Sequence, residues 1–133
     1  MAIKTILVPI RGDGKGEGVL DHALYLAERF GSHIEAIHAR ARPEEYLPYG
    51  TFISSGMKET ILQSAHANAE EEEARFRRLF SDYCTAKDLT ILNKPPAPGN
   101  RVTASWREVT GKQAAVIALR GRLTDLIAVP KPD

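Results

Sequence analysis

The sequence has 133 residues and a formal net charge of +1, and 43% of its residues are hydrophobic and 26% charged. This length fits one domain, and the composition excludes a disordered tail, a collagen-like fibre and a disulfide scaffold. The single cysteine, Cys84, cannot form an internal disulfide, and no apolar run reaches the ~18 to 20 residues of a membrane span. We therefore expect one cytoplasmic domain over residues 1–133 that makes no contact with a membrane.

The amino-terminal third predicts a strand, a helix and a second strand. Residues 3–10 are apolar and β-branched, which is typical of a strand buried on both faces of a parallel sheet. A glycine-rich loop at 11–18 precedes a helical stripe of apolar residues that ends near Phe30, and Gly31 is suited to stop that helix. Residues 33–39 then read as a strand, so residues 3–39 predict a βαβ unit.

A long connection and a long helix follow. Residues 40–56 contain prolines, glycines and aromatic residues, and could form a lid, a partner surface or an inert insertion. Residues 57–83 predict one helix with a buried apolar stripe. We interpret its acidic run at 70–73 as a solvated face, supported by the i,i+4 pairs Glu71–Arg75 and Glu73–Arg77.

The carboxyl-terminal third predicts further strands around a short helix. Residues 88–94 read as a third strand, 105–109 as a strand or strand extension, 111–122 as a helix and 125–129 as a short apolar strand. Strands that alternate with helices favour an α/β fold with a mainly parallel sheet.

Two local motifs resemble the universal stress protein family. Residues 6–10 (ILVPI), a glycine-bearing loop and the helix from residue 20 are similar to the family's ILVPVDGS segment and the helix after it. Residues 123–129 (LTDLIAV) look like the family's GADLIVVG ending. Together with the long helix between them, the motifs cover most of the chain and identify it as UspA-like.

The resemblance implies a flavodoxin-like, adenine-nucleotide-α-hydrolase-like doubly wound sheet with strand order 3-2-1-4-5. Many family members bind ATP with an Asp after strand 1 and a Gly-x2-Gly-x9-Gly-Ser/Thr segment after strand 4. Here Arg11 aligns with the Asp, unless the loop shifts so that Asp13 replaces it, and Pro130 and Asp133 align with the first two glycines. Because proline has no N–H, the resemblance implies a degenerate nucleotide-binding site.

The predicted elements stop one strand and one helix short of the family fold. Residues 1–133 are therefore expected to form an incomplete universal-stress domain. It is either the amino-terminal half of a tandem protein or a short domain that borrows an edge from a partner. A fourth strand without a neighbour would expose backbone groups that a partner usually covers. Both explanations predict association, as a homodimer, a swapped assembly or a pair with a second universal-stress domain.

The glycine-rich loop supports an alternative. Its glycines at 12, 14, 16 and 18 match neither the dinucleotide fingerprint nor a P-loop. A loop that leads into a helix nevertheless presents backbone N–H groups to an anion. The side chains of Arg11 and Lys15 would add positive charge there. One hypothesis is a nucleotide or anion cleft formed by Arg11, Gly12, Asp13, Gly14, Lys15 and Ala39. The other is that this segment is simply a flexible turn.

No other pattern predicts catalysis or metal binding. The four histidines lack metal-ligand spacing; His33 and His38 should face opposite sides of a strand, and His38 could line the cleft. From Lys87 onward eight Lys/Arg stand against four Asp/Glu, but they are spread over several elements. Trp106 among them is therefore interpreted as an anchored side chain and not as a nucleic-acid contact.

The sequence thus predicts a non-enzymatic stress-response protein that acts through association and needs no cofactor. The alternative is a nucleotide-binding switch that holds ATP in the glycine-rich loop, with weak hydrolysis. A third hypothesis, a small-ligand or redox module, requires a depressed pKa at Cys84.

Overall fold

A computed structural model describes residues 3–47, 52–96 and 101–132. Five parallel strands form one sheet in the order β3-β4-β2-β1-β5. The strands are β1 (Thr5–Pro9), β2 (His33–Arg40), β3 (Thr90–Ile91), β4 (Thr103–Thr110) and β5 (Leu126–Ile127). The helices are α1 (Gly16–Phe30), α2 (Ser55–Ala86) and α3 (Gln113–Gly121), with a 3₁₀ helix over Pro43–Tyr46. The predicted α/β fold is confirmed.

The predicted βαβ unit is present. β1 and β2 pair in parallel from Thr5 opposite His33 to Pro9 opposite Ile37, with α1 between them in the chain. As expected, α1 stops at Gly31, whose φ of 64° lies in the left-handed region that glycine adopts without strain. Its N–H donates to the carbonyl of Ala27, which closes the helix end.

One face of the sheet carries the main core. β1, β2 and β4 place alternate apolar residues there, among them Ile6, Ile34 and Ala104, and α1 and α2 cover them. Phe80 of α2 is 2% exposed and packs against Trp106, which is therefore an anchored core residue, as predicted. Phe30 was predicted on the buried stripe of α1 but is 40% exposed, because it is the last residue of the helix.

The opposite face is covered by α3. Val116 packs there on Leu7 and Ile37 in a smaller apolar cluster. The same face buries two charged or titratable side chains, His33 and Glu35, which are 3% and 4% exposed. His33 and His38 point to opposite faces, as their odd spacing predicted.

The strand beside β2 is β4. The eight residues of β4 pair with β2 along its whole length, whereas the segment predicted as the third strand contributes Thr90 and Ile91 at the sheet edge. Without this two-residue strand, the remaining strands lie in the order β4-β2-β1-β5, which corresponds to 3-2-1-4 when they are numbered in chain order. That is the order the family resemblance implied for its first four strands.

The long helix differs from its predicted surface. Glu73 is 8% exposed and pairs with Arg40 at 3.1 Å, while Arg77 pairs with Glu108. The interpretation of 70–73 as a solvated face is therefore wrong at Glu73. Both members of the predicted Glu73–Arg77 pair have partners on strands instead, and Arg75 lies 3.9 Å from Glu72 of the same helix. In the preceding connection, positions 48–51, with Pro48, Tyr49 and Gly50, lie outside the described residues.

Candidate functional site

The loop between β1 and α1 lies at the carboxyl edge of the sheet, beside the segment that follows β5. The two strands pair in parallel, so both segments leave the sheet at the same edge. The backbone N–H of Ala128 donates to the carbonyl of Leu7 at 2.9 Å. Lys15 Nζ donates to the carbonyl of Lys131, also at 2.9 Å, and so connects the two segments. The geometry places the predicted Lys15 at the carboxyl edge of the sheet, against the segment that follows β5.

A groove of about 500 Å³ opens between α1 and the segment after β5. Its volume falls within the range of small-molecule sites. Lys15 is the one predicted site residue that lines it. The other lining residues are Gly18, Val19 and His22 of α1 and Ala128, Val129, Pro130 and Lys131 after β5.

The loop itself is shaped by a carboxylate and by glycine. Asp13 Oδ1 accepts a hydrogen bond from the Lys15 N–H at 3.0 Å, and Gly14 has a φ of +76° that side chains rarely adopt. The Asp13 carboxylate thus accepts from the loop's own backbone, and it lies within the loop that was expected to hold an anion.

Gly12 is exposed, but a side chain at this position would point toward the long helix. A Cβ at this position would lie 3.2 Å from Glu72 Oε1 and 3.3 Å from the ring of Phe76. The carboxylate of Glu72 therefore stands beside the loop backbone, where it opposes a bound anion. Arg11 is exposed.

Ala39 lies apart from the groove at Lys15. It pairs with Val109 of β4 and packs against the cluster around Val116, on the face that α3 covers. The loop instead leads into α1, which covers the opposite face.

The buried histidines, His33 and His38, and the cysteine are used in packing. Both ring nitrogens of His33 lie near hydroxyls of β4, and His38 Nδ1 is 3.3 Å from the carbonyl of Ile10 beside Phe76. No cluster of three or more potential metal ligands occurs among the described residues. Cys84 is 1% exposed, and its burial raises the thiol pKa to about 11, which opposes the depressed value that a redox role would need.

Sequence reasoning missed three ion-pair groups, because their members are far apart in the chain. Glu35 accepts from Arg107 and Arg120 at 3.0 Å each. Arg40 pairs with Glu73 and lies 3.0 Å from His66 Nδ1. Glu108 accepts from Trp106 and Arg77. No local spacing signals such pairs, since each forms only when β4 or α2 meets its neighbour.

Glu108 illustrates the electrostatics of these groups. Burial disfavours its carboxylate, but the hydrogen bonds from Trp106 and Arg77 and the charge of Arg77 outweigh burial and lower the Glu108 pKa.

Exposed apolar side chains gather at the outer edge of β5. We define the β5-edge patch as Leu123, Ile127 and Val129, which are 74%, 38% and 53% exposed. Ile127 also lies against α3, because a Cβ at Gly121 would fall 2.6 Å from Ile127 Cδ1. β5 pairs with β1 and is the terminal strand of the sheet over the described residues.

Within the described ranges, no helix combines the length and the apolar character needed to cross a membrane.

Comparison with known proteins identifies the fold. The chain is similar to the universal stress protein UspA from Lactobacillus plantarum, with a TM-score of 0.55 and 13% identity over 96% of this chain and 77% of that one. A universal stress family protein from Burkholderia pseudomallei gives 0.43 and 16% over 94% and 79%. A universal stress protein in complex with cAMP gives 0.42 and 16% over 96% and 71%.

At this level of identity the similarity to UspA establishes a UspA-like fold, which confirms the predicted resemblance for the fold alone. No protein-family model matches the sequence, and no curated protein sequence matches it.

Proposed function

We propose that this chain is a stress-response protein of universal-stress type that acts through self-association and catalyses no reaction. The β5-edge patch carries the proposal. Three apolar side chains are exposed on and beside a strand whose outer edge has no partner strand among the described residues. Exposed apolar patches and open strand edges are surfaces that other chains cover.

We further propose that the nucleotide site is degenerate. It does not hold ATP in the family manner, and the protein needs no cofactor. Three features of the carboxyl edge support this part. Pro130 offers no N–H to a phosphate, the carboxylates of Asp13 and Glu72 lie in or beside the loop, and the Lys15 ammonium donates to Lys131. The same role is consistent with a second universal-stress domain as the partner and with a cytoplasmic location.

A nucleotide-binding switch is the second candidate. The groove of about 500 Å³ beside Lys15 favours it, because the groove lies where parallel α/β sheets bind ligands. In that case the Arg11–Lys15 loop would hold the phosphates, and Lys15 would exchange its carbonyl partner for a phosphate oxygen.

Sedimentation velocity tests the association. We expect the average sedimentation coefficient of the full chain to rise with concentration through the micromolar range. Leu123→Glu should weaken this rise, because a charge at a buried apolar contact must be desolvated. Tyr25→Glu is the matched control, since Tyr25 is 65% exposed on α1 and is not part of the β5-edge patch.

A wild-type chain that remains a monomer throughout the micromolar range would contradict the proposal. Equal loss of association in Leu123→Glu and Tyr25→Glu would move the interface away from the β5-edge patch.

A further inference from the structure

A second groove lies on the face of the sheet that α3 covers, at the point where β4 ends. Its volume is about 390 Å³, within the range of sites for small molecules. The lining includes Arg42, Glu45, Val109, Lys112, Val116 and Arg120. It shares no lining residue with the groove beside Lys15, so a ligand here would be independent of both functions discussed above.

Positive charge dominates the rim of this groove. Arg42 and Lys112 are exposed, and neither forms an ion pair with a residue that the structure describes. Arg120 shares Glu35 with Arg107. The lining therefore holds three cations, Arg42, Lys112 and Arg120, against the one carboxylate of Glu45, which favours an anionic ligand.

Arg120 holds a donor that the protein does not use. Its NH2 group donates to Glu35 Oε1 at 3.0 Å, whereas its Nε–H is buried and has no acceptor among the described residues. A buried donor without an acceptor is unfavourable by about 1 to 3 kcal/mol in proteins generally. Because Nε itself is buried, a ligand in the groove would contact the part of the Arg120 side chain that lines it.

The floor of the groove is apolar. Val109 and Val116 belong to the small cluster on this face. Gly111 keeps the space above Val116 open, because a Cβ there would lie 3.3 Å from Val116 Cγ2, and its φ of +150° also disfavours a side chain. An apolar floor below a cationic rim fits a ligand that has an anionic head and an apolar group.

We propose that this groove binds a small soluble amphiphilic anion, a carboxylate or phosphate monoester with a short alkyl group. Its head lies between Arg42, Lys112 and Arg120, and its alkyl group lies on Val109 and Val116. The proposal does not depend on self-association or on the absence of ATP binding.

The test is titration of the ¹⁵N-labelled full chain with hexanoate and, separately, with hexyl phosphate. Saturable amide shifts should be confined to residues 42–45 and 109–120. The compound with the tighter binding identifies the head group. 1-Hexanol and inorganic phosphate, which carry one half of the ligand each, should bind at least about tenfold more weakly.

Charge reversal tests the rim. Arg42→Glu and Lys112→Glu should each weaken binding by about tenfold, since each changes the local charge by two units. Both side chains are exposed, so both variants should fold. Arg78→Glu is the matched control, because Arg78 is exposed on α2, which covers the other face of the sheet.

Four results would overturn the proposal. They are shifts that do not saturate, shifts centred on the groove beside Lys15, 1-hexanol binding as tightly as hexanoate, and an equal effect of Arg78→Glu. Co-sedimentation with phosphatidylglycerol vesicles tests the alternative that the anionic group belongs to a membrane lipid and not to a soluble molecule. A chain that pellets with vesicles but shows no saturable shift with either soluble anion would also contradict it.

Discussion

His33 lies in a pocket of β4 hydroxyls inside the sheet. Its Nδ1 is 2.8 Å from Thr103 Oγ1, and its Nε2 is 2.9 Å from Ser105 Oγ. Hydroxyls can donate or accept, so they satisfy the neutral ring in either tautomer. Burial lowers the pKa of His33, and the nearby charge of Glu35 offsets part of this effect. The folded state therefore binds a proton here less readily than the unfolded state does.

The lowered pKa predicts a loss of stability in mild acid. As pH falls below about 6.5, the unfolded chain gains a proton at His33 that the folded chain resists, so the free energy of unfolding decreases. Urea unfolding between about pH 7.5 and pH 5.5 measures this slope. His33→Gln, which cannot titrate, should flatten it.

His22→Gln is the control for that slope. His22 is exposed on α1 and contacts the carbonyl of Gly18 at 2.8 Å, so its replacement removes a histidine without altering the buried pair of hydroxyls. The low pKa of Glu108 acts at lower pH and does not confuse the comparison. A slope that is the same in His33→Gln and the wild type would contradict this assignment.

Asp125 shows how a residue of a functional-looking motif can be structural. It lies in the 123–129 segment that resembles the family, and its Oδ2 accepts from the N–H groups of Lys4 and Thr5 at 2.8 and 3.1 Å. It thereby fixes the start of β1 beside β5. The sequence indicated the motif, but the role of this carboxylate depends on a strand 120 residues away.

Among the elements, α2 is longer than the sheet it covers. Its 32 residues span about 48 Å, whereas the eight residues of β2 span about 26 Å. Buried residues of α2 begin at Ala65 and continue to Cys84. The first turns are therefore held by few apolar contacts, chiefly near the 3₁₀ helix.

Hydrogen–deuterium exchange should divide α2 in two. Amides of residues 55–64 should exchange much faster than those of 76–84, because local opening there exposes little apolar surface. Peptides from β1 and β2 supply the protected reference in the same experiment. Equal protection along the whole of α2 would contradict the picture of a helix whose first turns extend beyond the core.

The first half of the fold was predictable because its signals are local. The apolar run of β1, the stripe of α1 and the stop at Gly31 are each readable within a few residues. β4 was harder, because Thr103, Ser105 and Arg107 give it a half-polar sequence. These side chains are accommodated at the sheet by His33 and Glu35 of β2, which a single segment does not reveal.

The candidate site was predictable in part for the same reason. The glycine-rich loop is visible in the sequence, and its Lys15 does lie in a groove. Its hydrogen bond to Lys131 and the approach of Glu72 to Gly12 join residues at least 60 positions apart, so no spacing could reveal them.

At the scale of the whole molecule, two edges of the sheet carry different chemistry. The carboxyl edge holds two grooves, one beside Lys15 and one rimmed by Arg42, Lys112 and Arg120. The lateral edge at β5 carries the apolar β5-edge patch, of which Val129 also lines the groove beside Lys15. The proposed function uses this lateral edge as the working surface and needs no nucleotide in the groove beside Lys15.

Calorimetric titration of the full chain with ATP and Mg²⁺ separates this account from a nucleotide switch. The account predicts no saturable heat with ATP in the micromolar range, in the wild type and in Lys15→Met alike. Saturable binding with a micromolar Kd that Lys15→Met abolishes would contradict it and would assign the loop after β1 to phosphate recognition.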